Sequence, residues 1–209
     1  MAPLEPSVTV DAPARPGRRR DHSRDPEILD AAIEVLAEEG YDGMTMEMVA
    51  NRARAGKATL YRRWPSKGEL VVEAVACMKS KDLDLDRLPD TGTLRGDLVA
   101  MIKPRTLEDA ERKMQVMAGL MSVLSRSPDL AQAIDAAIVA PRAEANRRLL
   151  QRAIDRGEIS PDVDIEAIAL VAPAMSSYRL LLTQRPVDRE YLLSIIDNVV
   201  LPAVGLRAP

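Results

Sequence analysis

Phenylalanine is absent from this chain, and aromatic residues together make up 2% of its 209 positions. Sheets favour aromatic and β-branched side chains, whereas the apolar content here is carried by Ala, Leu, Ile, Val and Met, so the fold expected is all-α. A single cysteine, Cys77, forms no internal disulfide, and with His22 as the only histidine it cannot complete a closed structural zinc site. A reducing cytoplasm is the location these absences fit. No run reaches the ~18 consecutive apolar residues of a membrane span, and the first residues lack the apolar stretch of a signal peptide, so no membrane partner is expected. The glycines are scattered without a phosphate loop, and no His, Cys or paired-carboxylate group stands at metal-ligand spacing. Neither a cofactor, a metal effector nor catalysis is expected. A general excess of positive charge is lacking too: the formal net charge is -3, so any contact with nucleic acid has to be local.

Residues 1–24 contain Pro3, Pro6, Pro13 and Pro16, show almost no apolar periodicity, and end in Arg18, Arg19, Arg20 and Arg24. They read as a disordered tail, either a solvated leader or a basic arm for DNA phosphates or a minor groove. Order begins at Asp25-Pro26-Glu27, where an Asp cap, an early Pro and an acid mark a helix start. Ile28, Ala32, Val35 and Leu36 follow at helical spacing until Gly40. Thr45 caps a short second helix to about Ala53, a turn spans Arg54 to Gly56, and a third helix runs from Lys57 to Trp64. Pro65 stops it, and Ser66 caps a fourth with Leu70, Val71, Ala74, Val75 and Met78 as its buried stripe. Lys79 to Gly92 reads as a linker. Helical pattern resumes over 93–102, 106–124, 127–154 with a break or kink at Pro141, 165–182 and 191–201. Residues 25–75 thus form a helix-turn-helix domain and 76–209 a larger helical one.

The segment 45–67 carries the chemistry. It places Arg52, Arg54, Lys57, Arg62, Arg63 and Lys67 on two short helices and their turn with no acid from 52 to 67. Leu60 and Trp64 point one way along the third helix, while Ala58 and Arg62 lie about 200° from Leu60. Packed through Leu60, the helix would turn Lys57, Ala58, Thr59, Tyr61 and Arg62 outward. Small Ala58 and Thr59 allow deep entry into a major groove, where Thr59 can touch a thymine methyl and Lys57 a guanine or a phosphate. Thr45 and Ser66 each open a helix whose free N–H groups suit a phosphate, and Tyr61, Arg63 and Lys67 can donate to others. The bland alternative is a helical adaptor that binds no DNA and merely solvates these charges, with Trp64 in the core.

These residues also carry a resemblance. Val49-Ala50, Lys57-Ala58-Thr59-Leu60-Tyr61 and Trp64-Pro65-Ser66-Lys67, with Gly40 and Thr45, resemble the DNA-binding domain of tetracycline-repressor (TetR) family regulators over residues 25–75. The family's turn usually reads Ala-Gly-Val. Here it is Ala53-Arg54-Ala55, so Arg54 either carries slight strain in a left-handed conformation or adds a backbone-phosphate contact. The resemblance implies a transcription repressor that binds double-stranded DNA at a palindromic operator as a homodimer, with a C-terminal domain that takes a small-molecule effector.

In that second domain, family dimers pair their last two long helices, here within 164–203. Ile168, Val171, Ala172, Met175, Arg179 and Leu182 follow helical spacing and are the candidate dimer stripe, although an internal core stripe reads the same. Met101, Met114, Met117, Met121 and Met175 are the candidate lining of an adaptable apolar effector cavity, with plain core filling as the alternative.

Overall fold

The computed structural model describes residues 24–80, 83–103, 106–124 and 126–208, so the expected tail lies outside it except for Arg24. The described residues form helices and connecting loops without a strand, as the composition required. In order they are α1 (Asp25–Gly43), α2 (Met46–Arg52), α3 (Lys57–Arg63), α4 (Lys67–Ser80), α5 (Leu94–Ala100), α6 (Leu107–Leu124), α7 (Pro128–Asp155) and α8 (Ile165–Leu181). The last is α9 (Arg189–Ile195), which runs on through a π-helical turn (Ile196–Val200) into α10 (Leu201–Ala203).

Pro26 suits the first turn of α1, where an N–H would have no partner. Asp25 is not the cap read from the sequence. Arg24 occupies that position without a side-chain capping bond, and the Asp25 carboxylate is instead ion-paired with Arg63. Regular helix ends at Gly40, whose φ of +67° favours glycine, before one more turn to Gly43. A second glycine is required across from it. A Cβ on Gly119 of α6 would stand 2.7 Å from the Leu36 carbonyl oxygen and 3.3 Å from the Gly40 Cα, so the two helices cross at backbone distance.

Two hydrophobic cores result. The first joins α1 to α4 with Val116, Met117, Leu120 and Val123 of α6 and Ile134 of α7. The second joins α5 and the C-terminal half of α7 to α8 and α9 through Leu94, Leu98, Leu149, Leu150, Ala169, Ile195 and Leu201. The sequence boundary at 75/76 therefore falls inside α4, and the first core reaches across it. Helix α7 spans both cores and runs through Pro141 without the break that was one of the two expected outcomes there, a break or a kink. Burial at both of its ends outweighs the roughly 3 kcal/mol that an internal proline costs. Pro173 lies inside the continuous α8 in the same way, leaving the Ala169 carbonyl without its N–H partner. The buried Asn146 side chain supplies that bond from α7, Nδ2 to oxygen 2.9 Å.

The segment before α5 is strapped down rather than loose. Arg148 and Arg152 donate to the Leu85 and Pro89 carbonyls at 3.1 and 2.5 Å. Thr93 caps α5 from its own side, and the Glu158 carboxylate accepts the Leu94 N–H from the end of α7. Asp97, fully buried, accepts from the Thr91 N–H (2.6 Å), the Thr91 hydroxyl (2.8 Å) and Arg156 (3.0 Å). Burial alone would raise its pKa. The Thr91 donors and the Arg156 guanidinium together outweigh that and hold the carboxyl below its usual range.

Asp97→Ala is accordingly expected to cost about 2–4 kcal/mol in urea unfolding at neutral pH. A depressed folded-state pKa means that this stability is full above the unfolded value of about 4 and lost as pH falls through the folded one. The gap between wild type and variant should therefore stay constant from pH 7 to 5 and narrow only in stronger acid.

Candidate nucleic-acid interface

Helix α2 starts at Thr45, whose Oγ1 accepts the Met48 N–H at 3.2 Å. Its end is a Schellman turn, with the Ala55 N–H on the Ala50 carbonyl (2.8 Å) and the Arg54 N–H on that of Asn51 (3.1 Å). The αL position this turn requires is filled by Arg54 at φ +49°, the left-handed conformation that was one of the two readings of Arg54. A non-glycine residue there costs about 1–2 kcal/mol. Arg24 offsets part of it by donating to the Ala53 carbonyl at 2.7 Å and the Arg54 carbonyl at 3.2 Å, placing a cation at the C-terminal end of α2. Arg24 thus belongs with the helices rather than with the tail, through partners about 30 residues further on that local spacing does not reveal.

Helix α3 packs through Leu60, which is fully buried, and the chain leaves it at Trp64, also buried, whose Nε1 donates to Glu73 at 2.7 Å. Lys57, Ala58, Tyr61 and Arg62 are exposed and Thr59 is half-buried at their edge, so the outward face has the expected members. Lys57 pairs with Glu47 at 3.3 Å, but both side chains are more than half exposed, and such a pair is worth at most about 1 kcal/mol. A phosphate can replace that partner cheaply. Neither the Arg54 nor the Arg62 side chain has an ion-pair partner among the described residues.

Two expected phosphate donors are put to another use. Arg63 is three residues after Leu60 and shares its inward side, where its side chain is 11% exposed and pairs with Asp25. Lys67 donates from Nζ to the Tyr41 and Met44 carbonyls at 2.6 and 3.0 Å and lies over the Tyr41 ring. It thereby satisfies carbonyls at the end of α1, where a cation is favoured. Arg52 is likewise held by Glu38 (2.6 Å) and Glu34 (3.2 Å) on α1. Ser66 forms a reciprocal cap with Glu69, accepting its N–H and donating to its carboxylate. Of the six basic residues, Arg54, Lys57 and Arg62 face outward, while the other three fasten α2, α3 and α4 to α1.

Between the two cores lies a cavity of about 460 Å³ walled by α4 to α9. Met101 and Met117 line it. Met114 and Met121 are half-buried on α6 but do not, and Met175 packs in the second core, its carbonyl accepting the Tyr191 hydroxyl at 3.1 Å. Methionine content marked the region without distinguishing wall from filling.

All of the candidate dimer stripe except Leu182 packs within the protomer. Ile168, Val171, Ala172 and Met175 pack against the second core, and Arg179 stacks on Tyr191 and donates to the Pro186 carbonyl at 2.8 Å. Leu182 alone of the stripe is exposed, at 66%. The outward apolar face of α8 is instead Leu170 (45% exposed), Ala174, Tyr178 (59%) and Leu182. The rotation is about one residue, because Pro173 and the small residues beside it draw the other side of α8 onto α7.

Comparison with known proteins agrees with this architecture. Residues 28–74 match the model for bacterial regulatory proteins of the tetR family, and residues 88–199 match that of the tetracyclin repressor-like C-terminal domain. The DNA-binding transcriptional repressor TetR of Mycobacteroides abscessus is 35% identical over 188 residues, covering 87% of this chain and 94% of the relative. A crystal structure of a TetR family transcription regulator, 29% identical, superposes with a TM-score of 0.58 over 85% of this chain and 97% of the other. FadR of Bacillus subtilis, solved with stearoyl-CoA, is alike in fold alone: 18% identity and a TM-score of 0.60 over 86% and 97% of the two chains. The chain belongs to the TetR family and is a helix-turn-helix DNA-binding transcription regulator.

Proposed function

We propose that the protein is a cytoplasmic homodimeric repressor that reads a near-palindromic operator with α3 of each protomer and leaves it when a small, largely apolar molecule fills the cavity. The observation that carries this reading is the outward face of α3. It combines two small residues, Ala58 and Thr59, with Lys57, Tyr61 and Arg62, while every inward basic group nearby already has a partner within the domain. A helix of two turns is too small to specify a site alone, so two copies related by a two-fold axis would read successive half-sites. The exposed Leu170, Tyr178 and Leu182 supply a self-complementary apolar face for that pairing. A hundredfold release by effector requires about 2.7 kcal/mol of coupling, and operator DNA must weaken effector binding by the same factor. The stearoyl-CoA complex of FadR is consistent with an effector in a cavity of this fold.

Band-shift titration on DNA upstream of the protein's own coding sequence tests the reader. Arg62→Ala should lower the slope of log affinity against log salt by about 1 without changing base preference, whereas Lys57→Ala with Thr59→Ala should change which half-site bases are preferred. Arg63→Ala and Lys67→Ala should lower the thermal midpoint by several degrees and leave the slope unchanged in the folded fraction. Wild-type selectivity in the Lys57/Thr59 double variant would remove α3 from the groove, and affinity without sequence preference would favour the adaptor reading.

Sedimentation of Tyr178→Asp with Leu182→Asp tests the pairing. The wild type should run as a dimer at micromolar concentration and the variant as a folded monomer with at least about tenfold weaker operator affinity. A variant that remains dimeric would place the interface elsewhere.

A further inference from the structure

The chemistry of the cavity wall narrows the effector class. Apart from Arg142, Asn146, Ser176 and Ser177, the described lining is aliphatic or methionine, with no aromatic ring and no carboxylate. All four polar residues come from two packed helices. Arg142 and Asn146 are one turn apart on α7, and Ser176 and Ser177 are on α8, which runs antiparallel beside it with Asn146 bonded to Ala169. Asn146 spends Nδ2 on that carbonyl, leaving Oδ1 without a hydrogen bond among the described residues, and the Ser176 and Ser177 hydroxyls have none either. Arg142 has neighbours of its own, but a guanidinium carries five N–H donors and can hold an anion beside them.

We infer that the effector is an aliphatic monocarboxylate of medium chain length, its carboxylate held by Arg142 with the Ser176 and Ser177 hydroxyls and its chain lying along the aliphatic wall towards Met117. Three features decide the class. A cation with no acid in the described wall disfavours ammonium ligands and gives a carboxylate charge-assisted bonds. The absence of rings removes the stacking that would hold a planar aromatic ligand. The volume of about 460 Å³ lies in the range of small-molecule pockets and suits a single aliphatic chain of medium length. The inference rests on the cavity being the effector site.

Isothermal titration of the full chain with decanoate, decan-1-ol and decylamine tests it. Decanoate should bind at least about tenfold more tightly than either. Arg142→Gln should bring decanoate to the level of decanol while decanol itself changes by less than about twofold, and Ser176→Ala with Ser177→Ala should weaken decanoate by about three- to tenfold, a second route should the first variant fold poorly. Equal or tighter binding of decanol or decylamine, carboxylate preference surviving both variants, or no binding by any of the three would overturn the assignment. Operator affinity measured with and without ligand separates the two claims. Selective decanoate binding that leaves operator affinity unchanged keeps the ligand class and removes the sensor; operator release by indole but not by decanoate keeps the sensor and overturns the class.

Discussion

Helices α1 and α6 meet backbone to backbone at Gly119, and the rest of the molecule is arranged around that crossing. A Cβ at 2.7 Å from the Leu36 carbonyl oxygen cannot be accommodated by a side-chain adjustment, because the atom it meets is main chain. The contact fixes α1 against the effector domain at one point. From the other side α1 is reached by a cation from each helix of the reader: Arg52 of α2 at Glu34 and Glu38, Arg63 of α3 at Asp25, and Lys67 of α4 at the Tyr41 and Met44 carbonyls. Arg112 of α6 and Arg126 beyond it add pairs to Glu34 and Asp42. The exposed pairs among these, those of Arg52, Arg112 and Arg126, contribute little stability individually. Their effect is orientational: α1 is the strut on which the recognition helix is aimed.

The same arrangement provides a short physical route between the sites. Met117 borders the cavity two residues before Gly119, and the neighbouring Val116 and Leu120 are buried in the first core. Under the proposed function, a displacement of α6 by a bound molecule would pass to α1 at the glycine crossing and from α1 to α3 through Asp25 and Arg63. In a dimer the quantity that matters is the separation of two recognition helices, so a small rotation of each strut suffices to misplace both.

Much of this was legible in the sequence because it depends on local spacing. Helix limits, the αL demand at Arg54, and the split of α3 into Leu60 and Trp64 inward against Lys57, Ala58 and Arg62 outward all follow from chemistry within a few residues. What escaped depends on partners far along the chain. Arg63 and Lys67 look like free cations until Asp25 and the end of α1 are brought beside them, and Gly119 looks like an ordinary glycine until Leu36 crosses it. Which side of α8 packs inward depends on Pro173 and its compensating bond from Asn146, which no local rule specifies. Local rules allow either a break or a kink at Pro141, and the burial at both ends of α7 that keeps it continuous is a tertiary effect.

Direct competition between an intact operator and the same DNA with one or both half-sites scrambled, at fixed salt, addresses the central claim that two α3 helices read sequence as a pair. Scrambling both half-sites should cost at least about a thousandfold in affinity, and scrambling one should lose most of that because the second reader has no site to bind. Equal affinity for intact and fully scrambled DNA would contradict the account.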